Sequence, residues 1–106
     1  MSQARTNLVK KGKLRLTLVP VEVIIEISKV LEFGIVKHKK QDSWKKMVIN
    51  NKRDFYDAAL RHLYASLLGE QYDNESRLSH IAHAITNLVF ILWLELKNKT
   101  IKKVLS

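Results

Sequence analysis

At 106 residues the chain has room for one domain and one core, but not for a core plus a separate functional module. With 46% hydrophobic residues, three glycines and one proline, it fits an ordered helical protein better than a loop-rich or disordered one. The absence of cysteine excludes a disulfide framework and a thiolate zinc site, and the net charge of +9 attracts phosphate in any form: nucleotide, nucleic acid or an anionic partner. Residues 1–13 lack the apolar run of a secretory signal, and the apolar run 88–94 is too short to span a bilayer, so a soluble, cytoplasmic protein with no membrane partner is expected. The charge is uneven. Residues 1–20 carry five bases and no acid, residues 96–106 carry four bases and no acid, and the stretch between is formally neutral.

Residues 1–12 read as a basic arm, 13–97 as the helical domain and 98–106 as a basic tail. Pro20 suits the first turn of a helix, where its missing N–H costs nothing. Val23, Ile24, Ile27, Val30 and Leu31 follow at helical spacing. Val21-Glu22-Val23 also alternates as a strand would, but the longer period favours helix. Gly34 marks a bend or an end, and 37–43 reads as a basic connection. Trp44, among lysines, is either a lid packed on the core or a stacking surface for a base. A second helix is predicted over 54–68, with Phe55, Ala59, Leu63 and Leu67 on one face and Gly69 as its stop. Residues 69–76 form a polar loop in which Asp73 or Ser76 can cap the next helix.

That next helix, 77–97, is the clearest element. Leu78, Ile81, Ala82, Ile85, Leu88, Val89, Leu92, Trp93 and Leu96 form its apolar stripe, and His80, His83 and Asn87 fall together on the opposite side, bordered by Phe90, Ile91 and Leu94. A helix apolar nearly all round is buried on more than one face, so the histidine stripe should meet another element. The expected fold is an all-α bundle of three to four helices, completed by oligomerisation.

Three polar groups on one helical face, with His62 on the preceding helix, can reach one ligand or one metal. Their plain alternative is a set of satisfied hydrogen-bonding groups in the core. Neutral imidazole suits manganese, zinc or proton transfer better than magnesium, which prefers oxygen. Carboxylates are available from Glu22 and Glu26 and from Glu70, Asp73 and Glu75. Lys13, Arg15, Lys29, Lys37 and Arg61 are phosphate binders, and Arg61, in a small apolar stretch, needs either Asp57 at i−4 or a phosphate. Neither a Walker glycine loop nor a G-x-S-x-G elbow is present.

The order of motifs then resembles the phage dATP/dGTP diphosphohydrolase family, itself related in our reading to the MazG-like all-α nucleoside triphosphate pyrophosphatases. The matching pieces are Gly12-Lys13-Leu14-Arg15, Leu18-Val19-Pro20-Val21-Glu22, Phe33-Gly34 with Lys37, and Trp44. They continue with Asp57-Ala58-Ala59-Leu60-Arg61-His62-Leu63, Gly69-Glu70, Asp73, Glu75-Ser76, and Leu78-Ser79-His80-Ile81-Ala82-His83-Ala84 with Asn87. The resemblance implies a helical bundle, usually oligomeric, that uses divalent metal (magnesium or manganese) to direct water at a (deoxy)nucleoside triphosphate and release pyrophosphate. On that reading His62, His80, His83 and Asn87 are catalytic; Lys13, Arg15, Lys37, Trp44 and Arg61 bind substrate; and Glu22, Glu75, His80 and His83 hold metal. The chain has Arg77 where the family pattern has Gly and His38 where it has Tyr. The four-acid signature of the MazG-like group is not visible. The competing reading is a non-catalytic binding protein on the same scaffold that grips nucleic acid or a nucleoprotein complex through its basic ends.

Overall fold

A computed structural model describes residues 13–41 and 43–97. The predicted arm 1–12 and the predicted tail 98–106 lie outside the described residues. A 3-10 turn at Leu16–Leu18 leads into four helices: α1, Val21–His38; α2, Ser43–Asn50; α3, Lys52–Leu67; and α4, His80–Leu96. Helix α4 packs against each of the other three. No helix among the described residues is long and apolar enough to cross a membrane.

Pro20 stands at the start of α1, which runs through Gly34 without ending and stops at Lys39. Lys39 takes the left-handed conformation (φ 54°) that commonly closes a helix. The predicted connection 37–43 is therefore only a turn, and the chain re-enters a helix that the lysines conceal. In α2, Trp44 and Val48 stand one turn apart and face inward. Val48 is fully buried with Phe55 and Ile91, and Trp44, Phe90, Trp93 and Leu94 pack around them. This small aromatic core locks α2 to the junction of α3 and α4.

Helix α3 ends where Gly69 marks the stop. Its φ of 102° suits glycine, and the Gly69 amide donates to Ser66 O while the Glu70 amide donates to Ala65 O, closing the two free carbonyls in a Schellman motif. The next ten residues fold back tightly, with Asp73 N donating to Leu78 O, Arg77 N to Asp73 O and His80 N to Gln71 O. Helix α4 consequently begins at His80, not at 77. Its cap is Ser79, whose hydroxyl accepts from the amides of Ile81 and Ala82 at 3.1 and 3.3 Å; Asp73 and Ser76 serve the turn instead.

Arg77 sits in the left-handed region with φ 66°. That conformation costs a non-glycine residue roughly 1–2 kcal/mol, of which glycine would return about 0.5–1 kcal/mol to unfolded-state entropy. Arg77→Gly is accordingly expected to stabilise the domain by up to ~1 kcal/mol in urea denaturation, and Arg77→Val to destabilise it.

The histidine side of α4 meets other elements as expected, but much of the long apolar stripe, expected to be buried as well, is not. Ile81, Leu88, Leu92 and Leu96 of the long apolar stripe are exposed, whereas His80, His83, Thr86 and Ile91 are buried. Helix α3 behaves alike: Phe55 and Ala59 are buried, but Leu63 and Leu67 are exposed beside Tyr56 and Leu60. Both helices thus expose apolar side chains that the described residues leave uncovered, a feature that marks surfaces used for association where such side chains cluster.

Candidate functional site

Helices α3 and α4 run antiparallel and meet at two levels. At one end Phe55 stands edge-on to Phe90, 5.4 Å between centroids. At the other His62 stacks on His83, at 4.4 Å and 11°. Helices α1 and α2 and the 70–79 turn wall the front of this pair, enclosing a cavity of about 690 Å³ whose lining includes Lys37, Trp44, Arg61, His62, Asp73 and His83.

Two hydrogen-bonded chains converge at the histidine end. In the first, His80 Nε2 lies 2.8 Å from Glu70 Oε1 and His80 Nδ1 lies 2.8 Å from His62 Nδ1. A carboxylate only accepts, so Nε2 of His80 carries the hydrogen. With both rings neutral, His62 Nδ1–H then donates to His80, leaving Nε2 of His62 with its lone pair free. In the second, Ser76 Oγ lies 2.6 Å from His83 Nε2, while the Ser76 amide and the Glu75 amide donate to Asp73 Oδ2 at 2.8 and 3.1 Å. The Ser76 hydroxyl also accepts from the Leu78 amide at 3.1 Å. A Ser76 hydroxyl that accepts from His83 Nε2–H as well leaves the His83 Nδ1 lone pair free.

Burial favours the uncharged form of His62 and His83. Burial, then the proximity of His83 and His80, lowers His62 from 6.5 to about 4. Burial also depresses His83 and outweighs the opposing pull of Asp73. Burial raises the Asp73 carboxyl, but the Ser76 amide and hydroxyl more than offset it, so Asp73 stays below the usual carboxylate range. The sign for stability follows. The unfolded histidines accept a proton near pH 6.5 and the folded ones resist it, so their contribution is complete above pH 6.5 and is lost as the pH falls towards 4. In chelator, thermal unfolding of the chain is expected to shift down between pH 7 and 4.5, and His62→Gln to flatten that dependence.

One donor atom each from His62, Asp73 and His80 lies within 4.8 Å of the others. The set fits a divalent cation: two imidazoles and a carboxylate suit manganese or zinc, and Glu70 behind His80 is the carboxylate that orients a ligating imidazole. For the two Nδ1 atoms, 2.8 Å apart, to share an ion, the His62 hydrogen must move from Nδ1 to Nε2 and the atoms must separate slightly, because ligands bound at about 2.1 Å stand roughly 3.0–3.4 Å apart.

The sequence-derived residues divide. His62, His83, Asn87, Lys37, Trp44, Arg61 and Glu75 line the cavity, and His80 lies behind His62. Lys37 is paired with Glu75 at 2.9 Å. Arg61 makes no ion pair or side-chain hydrogen bond among the described residues, so the expected Asp57 partner is not engaged. Trp44 stacks on Phe90 at 4.5 Å and 20°, edge-on to Trp93, so it packs on the core and lines the cavity at once. Glu75 and His83, expected at the metal, stand outside the three-residue cluster, and Asp73 takes that place. Lys13 and Arg15 are exposed ahead of the 3-10 turn and do not line the cavity. Glu22 borders a separate shallow groove with Glu26, Ser79, Ile81 and Ile85. At 100° per residue, Ile81 and Ile85 lie on the side of α4 turned away from His83 and Asn87, which removes Glu22 from the cluster.

The profile of the family described as dATP/dGTP diphosphohydrolase, N-terminal, matches residues 4–104. The chain belongs to this family. A dATP/dGTP diphosphohydrolase of Salmonella phage PMBT28 is 32% identical over 84 residues, 79% of this chain and 28% of that protein. The chain thus spans under a third of that relative. No solved structure matches. Within this member of the family, Asp73 and Glu70 were legible only as available carboxylates and Ser76 only as a helix cap, not as neighbours of the histidines. Their signal is present but indirect, since a Gly69 stop, a short polar turn and a serine cap fold them back over His80 and His83.

Proposed function

We propose that the chain hydrolyses a deoxynucleoside triphosphate, dATP or dGTP, to the monophosphate and pyrophosphate, with a divalent metal held by His62, Asp73 and His80. The observation that carries this reading is the convergence of two carboxylate-backed imidazole chains, Glu70–His80–His62 and Asp73–Ser76–His83, at one end of a cavity that is also lined by Arg61, which has no ion pair among the described residues.

A bound divalent ion would supply charge neutralisation at the phosphates and acidify a ligated water. The protein's own groups do the rest. His83 Nδ1 takes the proton of the attacking water, and the Ser76–Asp73 chain behind it orients the ring and steadies the imidazolium, as a carboxylate does in a hydrolytic triad. The water oxygen bonds to the α-phosphorus as the bond from that phosphorus to the bridging oxygen breaks, and the electron pair leaves with pyrophosphate. Arg61 and Lys37 offset the charge that develops there. Aromatic side chains at the Phe55–Phe90 end, with Trp44, form the wall against which a base lies.

Incubating the 106-residue chain with each deoxynucleoside triphosphate and manganese or magnesium is expected to release pyrophosphate, and His80→Ala/His83→Ala to abolish it; equal release by both proteins would end the proposal. The exposed apolar side chains of α3 and α4, Leu60, Leu63, Leu88 and Leu92 among them, support a homo-oligomer built on that surface, the same residues serving both copies. Light scattering is expected to give a mass above the monomer, and Leu88→Glu/Leu92→Glu to reduce it to the monomer with the helical content kept.

A further inference from the structure

Between the two levels at which α3 and α4 meet, the cavity has a middle. Phe55 and His62 are seven residues apart on α3, and His83 and Phe90 seven apart on α4, so the aromatic and histidine ends are separated by roughly 10 Å. Facing that interval are Ala58 from α3 and Thr86 and Asn87 from α4. Ala58 offers no polar atom. The Thr86 hydroxyl is committed to Ala82 O at 2.7 Å and its residue is fully buried. Asn87 differs. Its Nδ2 donates to His83 O at 2.9 Å, which fixes the amide orientation, since a carbonyl can only accept. Its Oδ1 has no partner among the described residues, and the side chain is half-buried on the cavity wall.

We propose that Asn87 Oδ1 accepts a hydrogen bond from the 3′-hydroxyl of the substrate sugar, making Asn87 a specificity-determining residue. The proposal rests on the nucleotide reading above: with phosphates at the histidine end and the base at the aromatic end, the sugar falls at the level of Asn87. A deoxyribose held through its 5′-phosphates has one free hydroxyl, and an oxygen that can only accept selects for its presence. The plain alternative is an asparagine that merely bonds back to the carbonyl one turn earlier, in which case its removal would affect all nucleotides alike.

The test compares a deoxynucleoside triphosphate with its 2′,3′-dideoxy form on the wild type and on Asn87→Ala, with helical content checked by circular dichroism. In the wild type, losing the hydroxyl leaves a desolvated acceptor unpaired, and kcat/KM is expected to fall roughly 5- to 30-fold. In Asn87→Ala the two substrates are expected to react with equal kcat/KM. A variant that keeps the wild-type preference, or a wild type without one, overturns the proposal. If the chain hydrolyses neither nucleotide, calorimetry with the α,β-methylene deoxynucleotide and its 3′-deoxy counterpart makes the same comparison. A preference there that Asn87→Ala erases upholds the sugar contact while the hydrolysis reading fails, and absence of binding by both overturns the two together.

Discussion

Asp73→Asn is expected to reduce kcat by about 10³-fold or more while leaving the fold in place. Asp73 belongs to both halves of the proposed chemistry, as a donor in the cluster with His62 and His80 and as the anion behind Ser76 and His83. The asparagine oxygen still accepts from the Ser76 and Glu75 amides, which Asp73 Oδ2 does at 2.8 and 3.1 Å, so the turn survives. What disappears is charge. A neutral amide binds a divalent cation more weakly and no longer steadies a protonated His83. Steady-state kinetics beside thermal melts check this: a large loss of kcat with an unchanged melting temperature is the expected pair. A variant that retains more than a tenth of wild-type kcat would remove Asp73 from the mechanism.

Phe55→Ala is expected to cost about 3–4 kcal/mol of stability, a large share of the 5–15 kcal/mol typical of a small domain. Phe55 is only 8% exposed, and it joins three helices by meeting Val48 of α2 and Phe90 and Ile91 of α4. Truncation opens a cavity beneath Trp44 and loosens α2, the element that closes one end of the substrate cavity. In urea the midpoint is expected to fall by roughly 1.5–4 M at a slope of about 1–2 kcal/mol per M. Phe55→Leu, which keeps most of the volume, is expected to lose less than half as much. Equal midpoints for wild type and Phe55→Ala would mean that this aromatic core does not hold the bundle together.

The legible parts of the molecule were those set by local rules. A 100° wheel aligns His80, His83 and Asn87, Pro20 starts α1, and Gly69 ends α3, because each depends on neighbours within one or two turns. The hidden parts depend on what the chain meets in space. Helix α4 is apolar on both sides, so periodicity could not tell which side packs inside the chain; the aromatic cluster of Trp44, Phe55 and Phe90 decides it, and the long leucine stripe is left outside. Helix α2 lay concealed because its lysines dominate the composition, although Trp44 and Val48 one turn apart carried its signal. The acids followed the same pattern. Glu22 was assigned to the metal on the family reading, but Asp73 meets the histidines because a turn with Arg77 at positive φ folds it back beside α4. Such a turn leaves no periodic trace. The family resemblance suggested the substrate class proposed above; the geometry supplied the separation between the three-residue cluster and the Ser76–His83 pair.

The central claim is that water is delivered to the α-phosphorus at the His62–His83 end of the cavity. Hydrolysis of dATP or dGTP in ¹⁸O-enriched water, followed by mass analysis of the products, tests it most directly. The expected result is one ¹⁸O in the deoxynucleoside monophosphate and none in the pyrophosphate, with no reaction in His80→Ala/His83→Ala. Label in the pyrophosphate, release of orthophosphate in its place, or turnover that survives the double substitution would contradict it.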